Sequence, residues 1–173
     1  MAVMRIIFLC RDNGALSPMA ESIFLSLYRG KPIYVASRGL VVLFETPFNP
    51  KMETVLASHN LKPVREHTLG LEKEELTGDT LVIAMNKRAA EQFRRIYPDV
   101  KCRTLAELSG EEGDCRDPYG GTVMDYEECF NEIGRRIRKL LPKLSEMAAA
   151  RETELEEYPE LFERERTKKK DKQ

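Results

Sequence analysis

Five of the six residues from Arg5 to Cys10 are apolar, with no alternation, and the run stops at a polar loop that contains Gly14. A short unbroken apolar run predicts a strand covered on both faces, and hence a parallel sheet. Beyond the loop, Ser17 and Pro18 read as a helix cap and first helical residue, and Met19, Ile23, Phe24 and Leu27 recur at helical spacing until Gly30. The alternation continues. Ile33 to Ala36 makes a second strand, and Asn49 with Pro50 opens a helix whose inner face carries Met52, Val55 and Leu56. Leu81 to Met85 is a third strand, Asn86 caps a helix reaching Tyr97, and Val100 to Leu105 is a weaker fourth strand. A last stripe, Tyr126, Phe130, Ile133, Ile137, Leu140, Leu141, Leu144 and Met147, predicts a long helix from Thr122 to Met147. Pro142 is expected to kink it or end it early, since proline in a helix interior costs about 3 kcal/mol.

This order of elements predicts an open, doubly wound α/β fold: a four-stranded parallel sheet with helices on both faces, and ligands at the carboxyl ends of the strands. The loop after Cys10 falls at such an end. From Ala148 onward the chain is mostly charged, Pro159 interrupts a Glu-rich stretch, and Lys168, Lys169, Lys170 and Lys172 close it. The expected division is an α/β domain over residues 1–147 and a charged helical or disordered tail over 148–173, dispensable for folding.

With 173 residues, 42% of them hydrophobic, one sizeable core can form. Twenty-eight Lys and Arg nearly balance twenty-nine Asp and Glu, so no global field draws the chain to nucleic acid or an anionic membrane. The apolar runs are far shorter than the roughly 20 residues of a membrane span, and Met1 to Leu9 lacks a secretory pattern. A cytoplasmic protein is expected. Cys10, Cys102, Cys115 and Cys129 are scattered without a Cys-x-x-Cys pair and away from His59 and His67, which argues against a zinc site or a disulfide framework.

The segment Cys10-Arg11-Asp12-Asn13-Gly14-Ala15-Leu16-Ser17-Pro18 places a thiol at a strand's end and then feeds a helix N-terminus. Such a loop aims backbone N–H groups and the positive helix end at one point, which makes an anion cradle and lowers a thiol's pKa. Cys10 is therefore either a nucleophile facing a bound phosphate or an idle residue of an ordinary strand-to-helix loop.

Ile6 to Asn13 and Ser17-Pro18-Met19-Ala20-Glu21 resemble the signature loop of the low-molecular-weight protein tyrosine phosphatases, whose pattern is Cys, five residues, Arg, Ser or Thr, Pro. Asp117-Pro118-Tyr119-Gly120-Gly121 resembles that family's general-acid loop in its bacterial form, and Ser37-Arg38-Gly39 its Ser-Ala-Gly turn. The likeness covers residues 3 to 146. It implies that Cys10 attacks phosphorus to form a phosphocysteine, that Asp117 protonates the leaving oxygen and then activates water, and that Ser17 hydrogen-bonds the thiolate. It also implies that Asn13 holds the loop's shape and that Arg11, Asp12, Asn13, Gly14, Ala15 and Leu16 surround the phosphate. Tyr119 would wall the substrate pocket or simply pack as a half-exposed ring. No metal or organic cofactor is implied. The implied partner is a phosphorylated protein, bearing phosphotyrosine or phosphoarginine, or inorganic phosphate.

The chain departs from the pattern at its most charged point, because the sixth residue after the cysteine is Leu16. In the family that arginine binds two equatorial phosphate oxygens and tightens on them as charge spreads in the transition state, a role worth a thousandfold or more by analogy with arginine fingers. Arg11 could replace it only in a rebuilt loop. Ala15 stands where many members have a second cysteine, so a protective disulfide is unavailable. Met85 to Phe93 lacks the cysteines that related arsenate reductases need. Three readings follow: a phosphatase weakened or altered in substrate, a pseudophosphatase that binds without turnover, and a structural or scaffolding domain. The oligomeric state is not legible.

Overall fold

Side chains alternate across a strand, so β1 (Met4–Cys10) sends Ile6, Phe8 and Cys10 to one face of the sheet and Ile7 and Leu9 to the other, and all five are buried. The computed structural model describes residues 3–157. Within it follow α1 (Leu16–Leu27), β2 (Ile33–Gly39), α2 (Pro50–Ser58), a 3₁₀ turn at Lys73–Glu75, β3 (Thr80–Ala84), α3 (Lys87–Ile96), β4 (Lys101–Thr104), α4 (Leu105–Ser109) and α5 (Val123–Glu157). The four strands are parallel in the order β2-β1-β3-β4, with Cys10 beside Gly39 and Leu9 beside Ala84. The expected doubly wound four-stranded fold is what forms. Helices α1, α2 and α5 cover the face holding Ile6, Phe8, Leu81, Ile83 and Met85, while α3 covers Ile7, Leu9, Val82 and Ala84 through Ala89, Ala90 and Phe93. Because the chain turns to one side of β1 for β2 and to the other for β3, Cys10 ends the strand at the switch point.

Local signals explain most boundaries. The Asn49 side chain accepts from the backbone N–H groups of Lys51 and Met52 with Pro50 at the helix start, and the Asn86 side chain accepts from Ala89. Three expectations change. Helix α1 begins at Leu16 with no side-chain cap, because the Ser17 hydroxyl turns away toward Cys10 and Asn13. Residues 105–109 are a short helix, opened by a capping box in which Thr104 and Glu107 satisfy each other's backbone N–H groups. And α5 passes through Pro142 to Glu157 without an early end. Pro142 and Arg138, whose carbonyl loses its partner there, are both exposed, so the break falls on the solvent side of the helix while Leu140, Leu144 and Ala148 hold the buried face on either side.

Helix therefore covers the start of the segment assigned to the tail. Ala148 is buried, and Arg151 bonds Asp79 at 2.8 Å beside the start of β3. The tail residues Tyr158, Pro159, Leu161 and Phe162 and the closing lysines lie outside the described residues. No helix among those described is long and apolar enough to cross a membrane.

Candidate active site

Three features build the turn after β1. Asn13 adopts a left-handed backbone with φ 58°, a conformation that asparagine tolerates better than most residues. Gly39 on the neighbouring strand lies so close that a Cβ there would come within 2.8 Å of the Asp12 carbonyl carbon and 3.0 Å of the Asn13 nitrogen. The segments after β2 then pin the loop by its carbonyls: Leu40 N–H donates to Cys10 O at 2.9 Å, Val41 to Arg11 O at 2.8 Å and Asn49 to Gly14 O at 3.0 Å. The loop is a held structure rather than a free connection.

At its centre the Cys10 sulfur, 3% exposed, lies 3.0 Å from Ser17 Oγ. Asn13 Nδ2 donates to Ser17 Oγ at 2.8 Å and to Ser37 Oγ at 3.1 Å. Burial pushes the Cys10 thiol up from its ordinary value and is the largest influence; the Ser17 hydroxyl and the backbone N–H groups of Ser17 and Asn13 pull the other way, and the Asp12 carboxylate adds to the rise. No guanidinium offsets it from within the loop. Leu16, 4% exposed, belongs to the same apolar cluster as Cys10.

Cys10, Arg11, Asp12, Gly14, Ala15 and Leu16 line a cavity of about 460 Å³ together with Asn49, Asn86, Asp117, Tyr119 and Tyr126. That size suits a small polar ligand or one side chain of a larger partner. Asp117 is exposed and accepts from Tyr119 N–H at 3.0 Å, so the two distant motifs converge on one opening. Tyr119 is 85% exposed and is not a packing ring. Arg11 is exposed and is among the residues that line the cavity. Asp12 turns back on the cradle: its carboxylate accepts from Gly14 N–H at 2.9 Å and comes within 4.0 Å of the sulfur. Among the described residues no group of three or more His, Cys, Asp or Glu side chains is arranged to hold a metal ion.

The model of the family described as low molecular weight phosphotyrosine protein phosphatase matches residues 5–152. The chain belongs to that family. It is 33% identical to the low molecular weight protein-tyrosine-phosphatase PtpB of Staphylococcus haemolyticus, over 79% of this chain and 97% of the relative. It is 32% identical to the protein-arginine-phosphatase of Bacillus subtilis, over 82% and 97%. Among solved structures, a low molecular weight protein tyrosine phosphatase from T. tengcongensis is similar with a TM-score of 0.73 and 32% identity, covering 81% of this chain and 99% of that one.

In this low-molecular-weight phosphatase family member, the cavity is also lined by residues that motif reading passes over. Asn49, Asn86 and Tyr126 line the cavity, and the Asn49 amide donates to Tyr126 Oη at 3.0 Å. Asn49 and Asn86 were legible only as helix caps. Beneath the loop lie Glu21 and Ser37, which belong to the quoted motifs, and Arg65, which sits in an irregular stretch without periodicity or motif, so no sequence signal points to it.

Proposed function

We propose that this family member is a cysteine-dependent phosphatase of low turnover, hydrolysing a phosphomonoester or the P–N bond of phosphoarginine. The observation that carries the reading is that Cys10, with Ser17 Oγ at 3.0 Å, and Asp117 line one cavity. Cys10 as thiolate attacks phosphorus and the leaving group's bond to it breaks; Asp117 gives that group its proton, forming phosphocysteine and a free hydroxyl or guanidine. Asp117 then takes a proton from water, which attacks the phosphocysteine, releases inorganic phosphate and restores the thiolate. Ser17 and the loop N–H groups support the sulfur's charge, and Asn13 keeps the loop in its left-handed turn. Arg11, Asp12, Gly14, Ala15, Leu16 and Tyr119 surround the substrate. The names of the relatives support a phosphorylated protein side chain, phosphotyrosine or phosphoarginine, as substrate. Four free buried thiols suit a reducing cytoplasmic setting, which belongs to the same proposal.

Turnover is low in this reading because Leu16 offers no charge to the equatorial oxygens and burial keeps Cys10 largely protonated. Those two observations also favour the second reading, a pseudophosphatase that holds a phosphorylated partner without cleaving it. Hydrolysis of 4-nitrophenyl phosphate by purified protein separates them. Slow turnover that vanishes in Cys10→Ser fits the hydrolase, and Asp117→Asn then loses about 10²-fold or more on substrates with poor leaving groups. No turnover, with phosphate raising the melting temperature, favours the binding protein; neither effect leaves a scaffold.

A further inference from the structure

The signature loop has lost a guanidinium on its upper side, yet another one is inserted behind it. Arg65 lies between α2 and the 3₁₀ turn and folds inward, its guanidinium carbon 5.6 Å from the centre of the Phe48 ring. Its Nη2 donates to Asn13 Oδ1, to Ser37 O at 2.9 Å and to Ser37 Oγ at 3.3 Å, while Nη1 approaches Glu21 Oε2 at 3.5 Å and Nε donates to His67 O at 3.1 Å.

This arrangement fixes the direction of every bond that follows. Asn13 Oδ1 faces only obligate donors, Arg65 and the Leu69 N–H at 3.0 Å, so the amide cannot turn over without pointing its NH₂ at two other N–H groups. Asn13 Nδ2 must then donate to Ser17 and Ser37. Ser37 spends its own proton on Glu21 Oε2. Ser17, already accepting from Asn13, has one proton left and two acceptors: the Cys10 sulfur at 3.0 Å and Arg38 O at 3.4 Å. The sulfur is nearer, and as a thiolate it is the stronger acceptor.

We propose that Arg65 is a positioning residue for Cys10: its guanidinium locks the Asn13 amide so that the Ser17 hydroxyl points its proton at the sulfur. The inference rests on the thiolate role of Cys10 given under Proposed function. The groups facing the sulfur are Asp12 and Arg11 from its own loop, and Asp117, Tyr119 and Tyr126 across the cavity. Those facing Arg65 are Glu21 from α1, Arg38 from β2 and Glu75 beyond it. Burial raises the Glu21 carboxyl, while Ser37 and the Arg65 and Arg38 guanidiniums pull it back; Arg65 pairs with it at 3.5 Å, is not among the charges that act on Cys10, and reaches the sulfur through Asn13 and Ser17.

That path can be tested without any turnover, by following alkylation of Cys10 with iodoacetamide against pH and reading the modified peptide by mass. Arg65→Met should move the midpoint upward by about one pH unit, a tenfold loss of rate below it. Arg65→Lys, which keeps a cationic donor, should recover part of the loss. In a Ser17→Ala background the same Arg65→Met change should alter the rate by less than about twofold, since the link is already cut. A profile unchanged in Arg65→Met, or a shift that persists undiminished without the Ser17 hydroxyl, overturns the proposal. Should Arg65→Met fail to fold, amide exchange on the unaltered protein decides: slow exchange of both Asn13 side-chain protons is expected, and exchange as fast as an exposed amide overturns it. A protein that hydrolyses nothing yet shows Arg65-dependent alkylation loses the hydrolase reading and keeps this one.

Discussion

Below the loop, the Asn13 side chain has four partners, Arg65, Leu69, Ser17 and Ser37, and is fully buried. Above it, facing the cavity, stand Arg11 and Asp12, both exposed, then Ala15 and the apolar Leu16, with one loop N–H already taken by the Asp12 carboxylate. The lower half holds and orients the sulfur; the upper half would meet the charge of a phosphate. Because the close donors to the sulfur are Ser17 and the loop backbone, while Asp12 reaches it from the upper side only as a carboxylate at 4.0 Å, the chain can keep the donors that support the thiol while lacking the group that grips the substrate. The two jobs of the signature loop are physically separable, and substitutions on each side should have different signatures.

The largest expected effect is on the upper side. Leu16→Arg supplies charge to oxygens whose own charge grows in the transition state, so kcat/KM for an aryl phosphate should rise by about a hundredfold or more. Leu16 opens α1 and is buried in the core cluster, so the same change gives up about 1.5–3 kcal/mol of apolar burial and the melting temperature should fall. Activity up and stability down is the expected pair, and both the gain and faster alkylation must vanish with Cys10→Ser. A folded Leu16→Arg protein as inert as its parent would mean that the upper half lacks more than one residue.

A smaller effect is expected from Asp12, the carboxylate that occupies the cradle. Asp12→Asn removes the charge beside the sulfur but keeps an acceptor for Gly14 N–H, so it should lower the Cys10 midpoint and leave phosphate binding little changed apart from lost repulsion. Asp12→Ala also frees that N–H, and should tighten inorganic phosphate by roughly tenfold, the scale of a hydrogen bond to a charged group. Titration by NMR and the alkylation profile read the two separately. If Asp12→Ala weakens phosphate instead, the carboxylate is a brace for the loop and not a plug in it.

How much of this contrast was legible beforehand follows from which signals are local. The apolar run into Cys10, the caps at Asn49 and Asn86, and the two motifs around Cys10 and Asp117 depend on neighbours in sequence, and the doubly wound parallel sheet follows from the alternation of such elements. Ser17 reads as a cap in the sequence, but its hydroxyl is taken by the Cys10 sulfur and by the Asn13 amide, which is itself held by Ser37 across the sheet, a tertiary arrangement that pattern cannot reveal. Arg65 is further still, 52 positions from Asn13 in a stretch with no period. Pro142 was misjudged for the opposite reason: its local cost is real, but it falls on the exposed side of a helix held by buried residues on both sides.

The smallest expected effect separates the loop thiol from those of the core. Burial lifts Cys102 and Cys115 to about 11 and Cys129 to about 12, with no hydroxyl or backbone N–H among the influences that act on them, whereas Cys10 has Ser17 Oγ and two backbone N–H groups working against its burial. A folded thiol whose pKa exceeds the unfolded value of 9.0 keeps its proton where the unfolded chain releases one. The unfolded state then binds fewer protons, so stability should be level between pH 7 and 8, begin to fall near pH 9, and keep falling to the folded values of about 11 to 12. Urea midpoints across that range check the sign. In the folded protein near pH 8, iodoacetamide should add once, at Cys10, because that sulfur faces the cavity and has donors for its charge; the others should react only as fast as the chain opens. If Cys115 or Cys129 labels as quickly as Cys10, the lower half of the loop confers nothing on its thiol that the core does not, and the division between the two halves fails with it.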